Sequence, residues 1–155
     1  MARTTDKSSS LLGKAKELQV AGALIEEGLY VFFPLVDTGF DLVVTSDKGT
    51  MFIPVQVKFR ARDPGLGLKP QDIARFEDTG VVVAWVISSI ENSWYIPFVD
   101  WHKRAKAPDR ADGLKYISIR ESESWLSAYK GSAGIFRAFA PLFRHESHRH
   151  STKRA

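Results

Sequence analysis

The feature that most constrains the fold of this chain is an almost unbroken apolar run from Val81 to Ile90, VVVAWVISSI. Its length and its β-branched residues favour a β-strand over a helix. A strand that is apolar at consecutive positions must be buried on both of its faces. The run therefore predicts an α/β fold in which helices flank both sides of a central sheet.

A second predicted strand, GTMFIPVQVKF (49–59), alternates instead of running apolar throughout. One face carries only apolar residues, namely Met51, Ile53, Val55, Val57 and Phe59. The other face places Gln56 and Lys58 side by side, two residues apart. These two side chains either simply face solvent, as on many half-exposed strands, or line a functional site. Pro54 on that face cannot donate a ladder hydrogen bond, which predicts a sheet edge near the start of this strand.

The periodicity of the chain predicts one mixed sheet and the order α-β-β-β-α-β-β-α-β-α, in which the final α comprises two consecutive helices. The predicted helices cover 11–27, 71–79, 100–107, 122–131 and 132–143, and the predicted strands cover 29–35, 40–46, 49–59, 81–90, 92–99 and 114–120. The Gly- and Pro-containing segment 62–70 is expected to be a flexible loop, and Glu91–Asn92 a turn.

The length of 155 residues indicates one domain with an ordinary-sized core. We expect a disordered N-terminus over 1–10, a single domain over 11–143 and a basic disordered tail over 144–155. The tract HESHRH at 145–150 leaves open a transition-metal site, although a solvated tail is the simpler interpretation. With no cysteine and no apolar run of about 18 residues, disulfides, thiolate metal sites and membrane helices are not expected. A cytoplasmic location fits this composition.

Asp41 is out of place at the start of the apolar strand 40–46, because aspartate is disfavoured in strands. The turn at 37–39 does not account for it. A short hairpin between this strand and the next would bring Asp41 beside Gln56 and Lys58 rather than beside Met51.

Glu17 borders the buried stripe of the first predicted helix, because it shares a helical face with Ala21 and Leu24. A surface ion pair with Lys14, worth a few tenths of a kcal/mol, is the alternative explanation for this residue.

Glu17, Asp41 and the amide oxygen of Gln56 are hard ligands of the kind that Mg²⁺ prefers. Val57 could add its backbone carbonyl, and Lys58 could stabilise negative charge or position a water hydroxide. A metal that activates water and a cation that shields charge on phosphorus are the requirements of phosphodiester hydrolysis.

With these residues, the sequence resembles the PD-(D/E)XK nuclease superfamily. The helix GKAKELQVAGALIEEGLYV (13–31), the strand FDLVV (40–44) and the stretch VQVK (55–58) match its αβββαβ core in order and approximate spacing, and the phrase WYIPF (94–98) follows its fourth strand. The resemblance covers roughly 11–99. The sequence most resembles small endonucleases with a Q-x-K motif, including intron-encoded homing endonucleases. In its first sixty residues it is similar to archaeal Holliday-junction resolvases.

The resemblance implies a restriction-endonuclease-like fold, here with a C-terminal helical extension, and a Mg²⁺-dependent DNA endonuclease in which Mn²⁺ would substitute. Glu17 matches the helix acid, Asp41 the motif aspartate, Gln56 the (D/E) position and Lys58 the motif lysine. Phe40 stands where the motif has proline. Gln56 is neutral where most members carry a carboxylate, which weakens the expected metal affinity. A catalytically degenerate module that binds nucleic acid without cutting it is therefore the alternative.

The net charge of +4 permits a polyanionic partner such as DNA. The predicted phosphate contacts are Lys14, Arg60, Arg62, Lys69 and Arg75, although each taken singly also fits an ordinary solvated charge. Cutting both strands of a duplex, or two arms of a junction, needs two active sites, which predicts a homodimer or higher homo-oligomer. A third reading is an interaction domain without a nucleic-acid role, which would use its C-terminal amphipathic helix.

Overall fold

The computed structural model describes residues 4–36, 39–62, 65–107 and 111–144, with side chains from residue 9 onward. Its elements are, in chain order, α1 (Thr4–Glu26), β1 (Tyr30–Phe32), β2 (Leu42–Thr45), β3 (Phe52–Arg60), β4 (Gly65–Leu68), α2 (Pro70–Phe76), β5 (Val82–Ile87), β6 (Ser89–Pro97), α3 (Phe98–Arg104), β7 (Lys115–Ser118), α4 (Glu123–Leu126), a 3₁₀ turn (Ser127–Tyr129), α5 (Gly131–Ala138) and α6 (Ala140–Phe143).

The central sheet has five strands in the order β1-β2-β3-β5-β6. β3 and β5 run parallel, whereas the other neighbouring strands pair antiparallel. The predicted mixed sheet and α/β class are therefore confirmed. All six residues of β5 are buried, as its apolar sequence requires.

Alternate residues of β5 enter two different cores. Val82, Ala84 and Val86 pack in a cluster with residues of α1, α5 and α6 on one side of the sheet. Val83 and Trp85 pack on the other side with residues of α2, α3, β4 and β7. The two-stranded sheet β4-β7 thus forms part of the second covering layer rather than an extension of the central sheet.

The first helix is longer than predicted. It begins at Thr4, so residues 4–10, which were expected to be disordered, continue the helix. Once the core-packed turns of α1 are formed, each further residue adds one backbone hydrogen bond and needs no new nucleus.

The prediction of a flexible loop over 62–70 is wrong for its second half, which forms β4 and pairs antiparallel with β7. The pattern Gly-Leu-Gly-Leu alternates with strand period, and both leucines, Leu66 and Leu68, are buried. Burial of these side chains outweighs the low strand propensity of glycine.

The turn between the last two strands of the central sheet lies earlier than predicted. Ser88 has a left-handed backbone with φ 67°, and β6 begins at the next residue. Glu91 and Asn92 therefore belong to β6, not to a turn. The apolar run 81–90 is divided between two antiparallel strands.

The expected sheet edge at Pro54 is present only locally, because β3 as a whole lies between β2 and β5. The Val55 carbonyl accepts a hydrogen bond from the Asp41 N–H on the β2 side, so the neighbouring Pro54 main chain faces β5. The β5 ladder starts only at the pair Val55–Val82. The missing N–H of Pro54 therefore removes no ladder bond.

The C-terminal extension is helical but broken into short pieces. The predicted helix 122–131 is α4 plus the 3₁₀ turn, and the predicted helix 132–143 is divided into α5 and α6. Pro141, inside the first turn of α6, cannot continue the hydrogen bonding of α5. Residues 145–155, with the HESHRH tract, lie outside the described residues. In the ranges that are described, no helix combines the length and apolarity needed to cross a membrane.

Candidate active site

Asp41 and Gln56 meet where β2 begins and β3 continues past it. The register places Leu42 opposite Val55, so the preceding Asp41 lies next to Gln56. Oδ2 of Asp41 accepts hydrogen bonds from the Val57 N–H at 2.7 Å and from Nε2 of Gln56 at 2.5 Å. The Asp41 carboxylate thus accepts the hydrogen bond from Val57 of β3 that a backbone carbonyl of β2 would otherwise accept. The hairpin predicted from the sequence brings these residues together.

The surroundings of the Asp41 carboxyl group disfavour its charged form. Burial raises its pKa above the ordinary value, and the hydrogen bond from the Val57 N–H only partly opposes this effect. The negative charge of Glu17 raises the pKa further, whereas Lys58 and Lys14 lower it. A site in which burial and a second acid both disfavour the charged carboxylate favours the approach of a cation.

Glu17 reaches this region from α1, on a different element from Asp41. Its side chain is mostly buried and forms an ion pair with Lys14, one helical turn away. The ion pair considered for Glu17 therefore exists, and Glu17 also acts on the charge of Asp41. The two acids thus come from α1 and from the residue just before β2.

Lys58 points to the same side of β3 as Gln56 and contacts an acid that the sequence analysis missed. Its Nζ donates to Oδ2 of Asp72, on α2, at 2.8 Å. Asp72 also accepts from Arg75 at 2.9 Å. Asp72 thus binds two cations beside the predicted site. In the sequence, Asp72 is only an acidic residue in the first turn of a predicted helix, and no local pattern connects it to Lys58.

Two close contacts tie α2 to the loop that leads into β2. The Phe40 ring stacks on Phe76 with centroids 6.1 Å apart. A Cβ on Gly39, which has φ 80°, would lie 3.0 Å from Cδ of Arg75. Phe40 therefore anchors this loop to α2, and the glycine permits close passage of Arg75.

Gln56 lies at the centre of the cluster. Its Nε2 is near Asp41 and 3.5 Å from the Val57 carbonyl oxygen, and its Oε1 is 3.4 Å from a nitrogen of Arg75. A half-turn of the amide would direct Oε1 toward Asp41 and the Val57 carbonyl.

The donor set fits a hard cation with few protein ligands. Within the described ranges, no group of three or more His, Cys, Asp or Glu residues is placed to hold a metal. An ion at this site would therefore depend on Glu17, Asp41, the Gln56 amide oxygen and the Val57 carbonyl. Oxygen ligands with only one or two carboxylates suit Mg²⁺, which keeps several waters, and do not suit zinc.

The predicted phosphate contacts fall into two groups. Lys14 and Arg75 are ion-paired with Glu17 and Asp72 respectively, so they neutralise acids of the cluster. Arg60, Arg62 and Lys69 are exposed, at the end of β3, just beyond it and immediately before α2. The structure does not bring these three into the hydrogen-bonded cluster.

The order α1, β1, β2, β3, α2, β5 and the mixed five-stranded sheet are those of a restriction-endonuclease-like fold. No protein-family model matches the sequence, and no curated protein matches it significantly. Among solved structures, the chain is similar to Archaeoglobus fulgidus Hjc, a Holliday junction resolvase from an archaeal hyperthermophile. The TM-score is 0.54 at 17% sequence identity, over 79% of this chain and 93% of Hjc. This similarity establishes the fold.

Proposed function

We propose that this protein is a Mg²⁺-dependent DNA endonuclease that hydrolyses phosphodiester bonds, with Mn²⁺ as a substitute metal. The observation that carries the proposal is the meeting of Asp41, Gln56 and Lys58 at the junction of β2 and β3, with Glu17 close enough to perturb Asp41. The same fold in a Holliday junction resolvase supports it.

In this proposal, Glu17, Asp41, Gln56 and the Val57 carbonyl hold the metal. When bound, a divalent cation activates water and shields charge on the phosphate. The Val57 N–H fixes one oxygen of Asp41, which leaves the other oxygen for the ion. Lys58 orients the attacking water or stabilises the pentavalent phosphorus, and its ion pair with Asp72 holds its ammonium group in place.

DNA is the proposed partner, and the exposed Arg60, Arg62 and Lys69 are its proposed phosphate contacts. Lys14 and Arg75 would act closer to the metal, where each can exchange an acid of the cluster for a phosphate oxygen. These contacts carry no base information, so they position the substrate and do not select a sequence.

A second candidate function is a nucleic-acid-binding module that no longer cuts. It is favoured by the neutral Gln56 and by the lack of a third acidic or histidine ligand among the residues described. The substitution Gln56→Glu separates the two candidates. Cleavage gained from an inert parent supports the binding module, whereas an active parent rules it out.

The proposed activity is tested with supercoiled plasmid and a four-way junction, each incubated with Mg²⁺, with Mn²⁺ and with EDTA. We expect cutting with either metal and none with EDTA. The preferred substrate distinguishes a junction-selective enzyme from a duplex-cutting one. DNA binding without cutting, under both metals and on both substrates, would contradict the endonuclease and favour the binding module.

A further inference from the structure

The surface of α1 that faces away from the sheet carries a second apolar stripe. Val20, Ala21 and Leu24 pack in the core. On the opposite side of the helix, five small or apolar residues are exposed, namely Leu11, Ala15, Leu18, Gly22 and Ile25. Successive members are four, three, four and three residues apart, which is the spacing of the contact seam between two packed helices.

The stripe exposes much of its apolar surface. Leu11 is 73% exposed, and Leu18 and Ile25 are each 56% exposed. A helix that covers a single core normally has charged and polar residues on its outer face. An outer face with a continuous apolar seam therefore indicates a contact that one chain does not satisfy.

Large and small residues alternate along the stripe. Leu11, Leu18 and Ile25 are separated by Ala15 and Gly22, and a Cβ built on Gly22 meets nothing within 4 Å. The large residues of an identical helix would fit over the small ones, so the surface is complementary to itself. Self-complementarity is what a twofold homodimer interface requires.

A neighbouring segment extends this surface. Phe33 lies under the ammonium of Lys14, 5.6 Å from the ring centroid, and Lys14 is on α1 between Leu11 and Leu18. Two and three residues further along the chain, Leu35 and Val36 are also exposed. Taking roughly 150–200 Å² for a fully exposed large side chain, the six large residues of this surface offer about 700 Å². One partner in a standard interface buries about 800 Å².

We propose that a second copy of this chain packs against this surface and forms a homodimer through α1. Glu17 lies on the same helix but borders its core-facing side, so each site would lie across α1 from the seam. The purpose of the dimer, two active sites for two strands, rests on the proposed endonuclease function, whereas the interface itself does not.

The test is sedimentation of the full chain over a concentration series, for the wild type and two matched leucine variants. Leu12 is 46% exposed on the same helix but lies off the stripe. We expect the wild type and Leu12→Glu to be dimers, and Leu18→Glu to raise the dimer Kd by at least about 100-fold, because it would place a carboxylate inside the seam. Circular dichroism checks that all three retain their helix content.

A wild type that remains monomeric up to about 100 μM would overturn the proposal, on the scale of ordinary interface affinities. Equal dissociation by Leu12→Glu and Leu18→Glu would also overturn it. If Leu18→Glu loses helix content, Gly22→Leu replaces it as the test. The open space around Gly22 lets the single chain fold with the larger side chain. A Gly22→Leu variant that dimerises as the wild type does would contradict close packing of the two helices. A dimer that does not cleave DNA would support the interface and refute the endonuclease. A monomer that cleaves DNA would support the endonuclease and refute the interface.

Discussion

Asp41 shows how one residue can serve both the fold and the proposed chemistry. Its carboxylate completes the β3 ladder at Val57, yet burial raises its pKa. The folded state therefore binds a proton at Asp41 more readily than the unfolded state does. Between the ordinary value of 3.8 and the raised folded pKa, stability falls as pH rises.

Asp41→Asn should consequently increase the free energy of unfolding at neutral pH, because its amide oxygen still accepts from Val57 and carries no charge. The advantage over the wild type should shrink as the pH approaches about 4, near the ordinary Asp value. Urea titrations of both proteins from pH 7 downward measure this difference. An advantage that grows toward acid pH would contradict the assigned cause.

Asp72 is expected to act by positioning Lys58. Asp72→Asn removes the carboxylate from both Lys58 and Arg75, so we expect the single-turnover cleavage rate to fall about tenfold, equivalent to about 1.4 kcal/mol. Glu77→Gln, which neutralises an exposed acid directly after α2, is the matched control. Asp72→Glu should restore part of the rate. Equal rates for Asp72→Asn and Glu77→Gln would exclude a positioning role.

The sequence reveals most of the candidate site, because its residues lie on strands joined by a short hairpin. Alternation places Gln56 and Lys58 on one face, and the hairpin brings Asp41 to them. Asp72 could not be assigned in this way, and Arg75 could be named only as a phosphate contact. They join the site only because α2 packs over the sheet through Phe76, a long-range contact with no local signature.

At the scale of elements, β5 is the best-predicted strand, because all of its residues are apolar and buried. β5 follows from its unbroken apolar run. β4 could not be predicted because its glycines suggest a loop and its partner, β7, is about fifty residues away in the sequence. The turn at Ser88 was missed because serine is not a residue expected at positive φ.

The packing of α5 provides a stability test at this scale. A Cβ on Gly134, a buried residue of α5, would collide with the Tyr129 carbonyl of the 3₁₀ turn. Gly134→Ala should therefore destabilise the protein by about 1–3 kcal/mol, the usual cost of overpacking. Gly13→Ala, in open space within α1, should instead stabilise by about 1 kcal/mol. Thermal or urea unfolding measures both, and an undiminished stability of Gly134→Ala would contradict the close contact.

For the whole molecule, the salt dependence of DNA binding tests the proposed phosphate contacts. Each contact with duplex DNA contributes about 0.9 to the slope of log K against log salt concentration. Removing Arg60, Arg62 and Lys69 together should therefore reduce the slope by up to about 3. Lys103→Ala, which removes an exposed charge from α3, should leave it unchanged. Titrations of labelled duplex at several salt concentrations measure the slopes, and identical slopes for wild type and triple variant would refute these contacts.

The central claim is that the Asp41 site cuts DNA, and the most direct test compares cleavage by the wild type and Asp41→Asn under conditions where both are fully bound to substrate. Asparagine retains the acceptor for Val57, so fold and DNA binding should persist. The account expects metal-dependent cleavage by the wild type and a loss of at least about 100-fold in the variant, in line with the removal of a group that stabilises the transition state. A variant that binds and cuts DNA as fast as the wild type would show that the chemistry, if any, lies elsewhere.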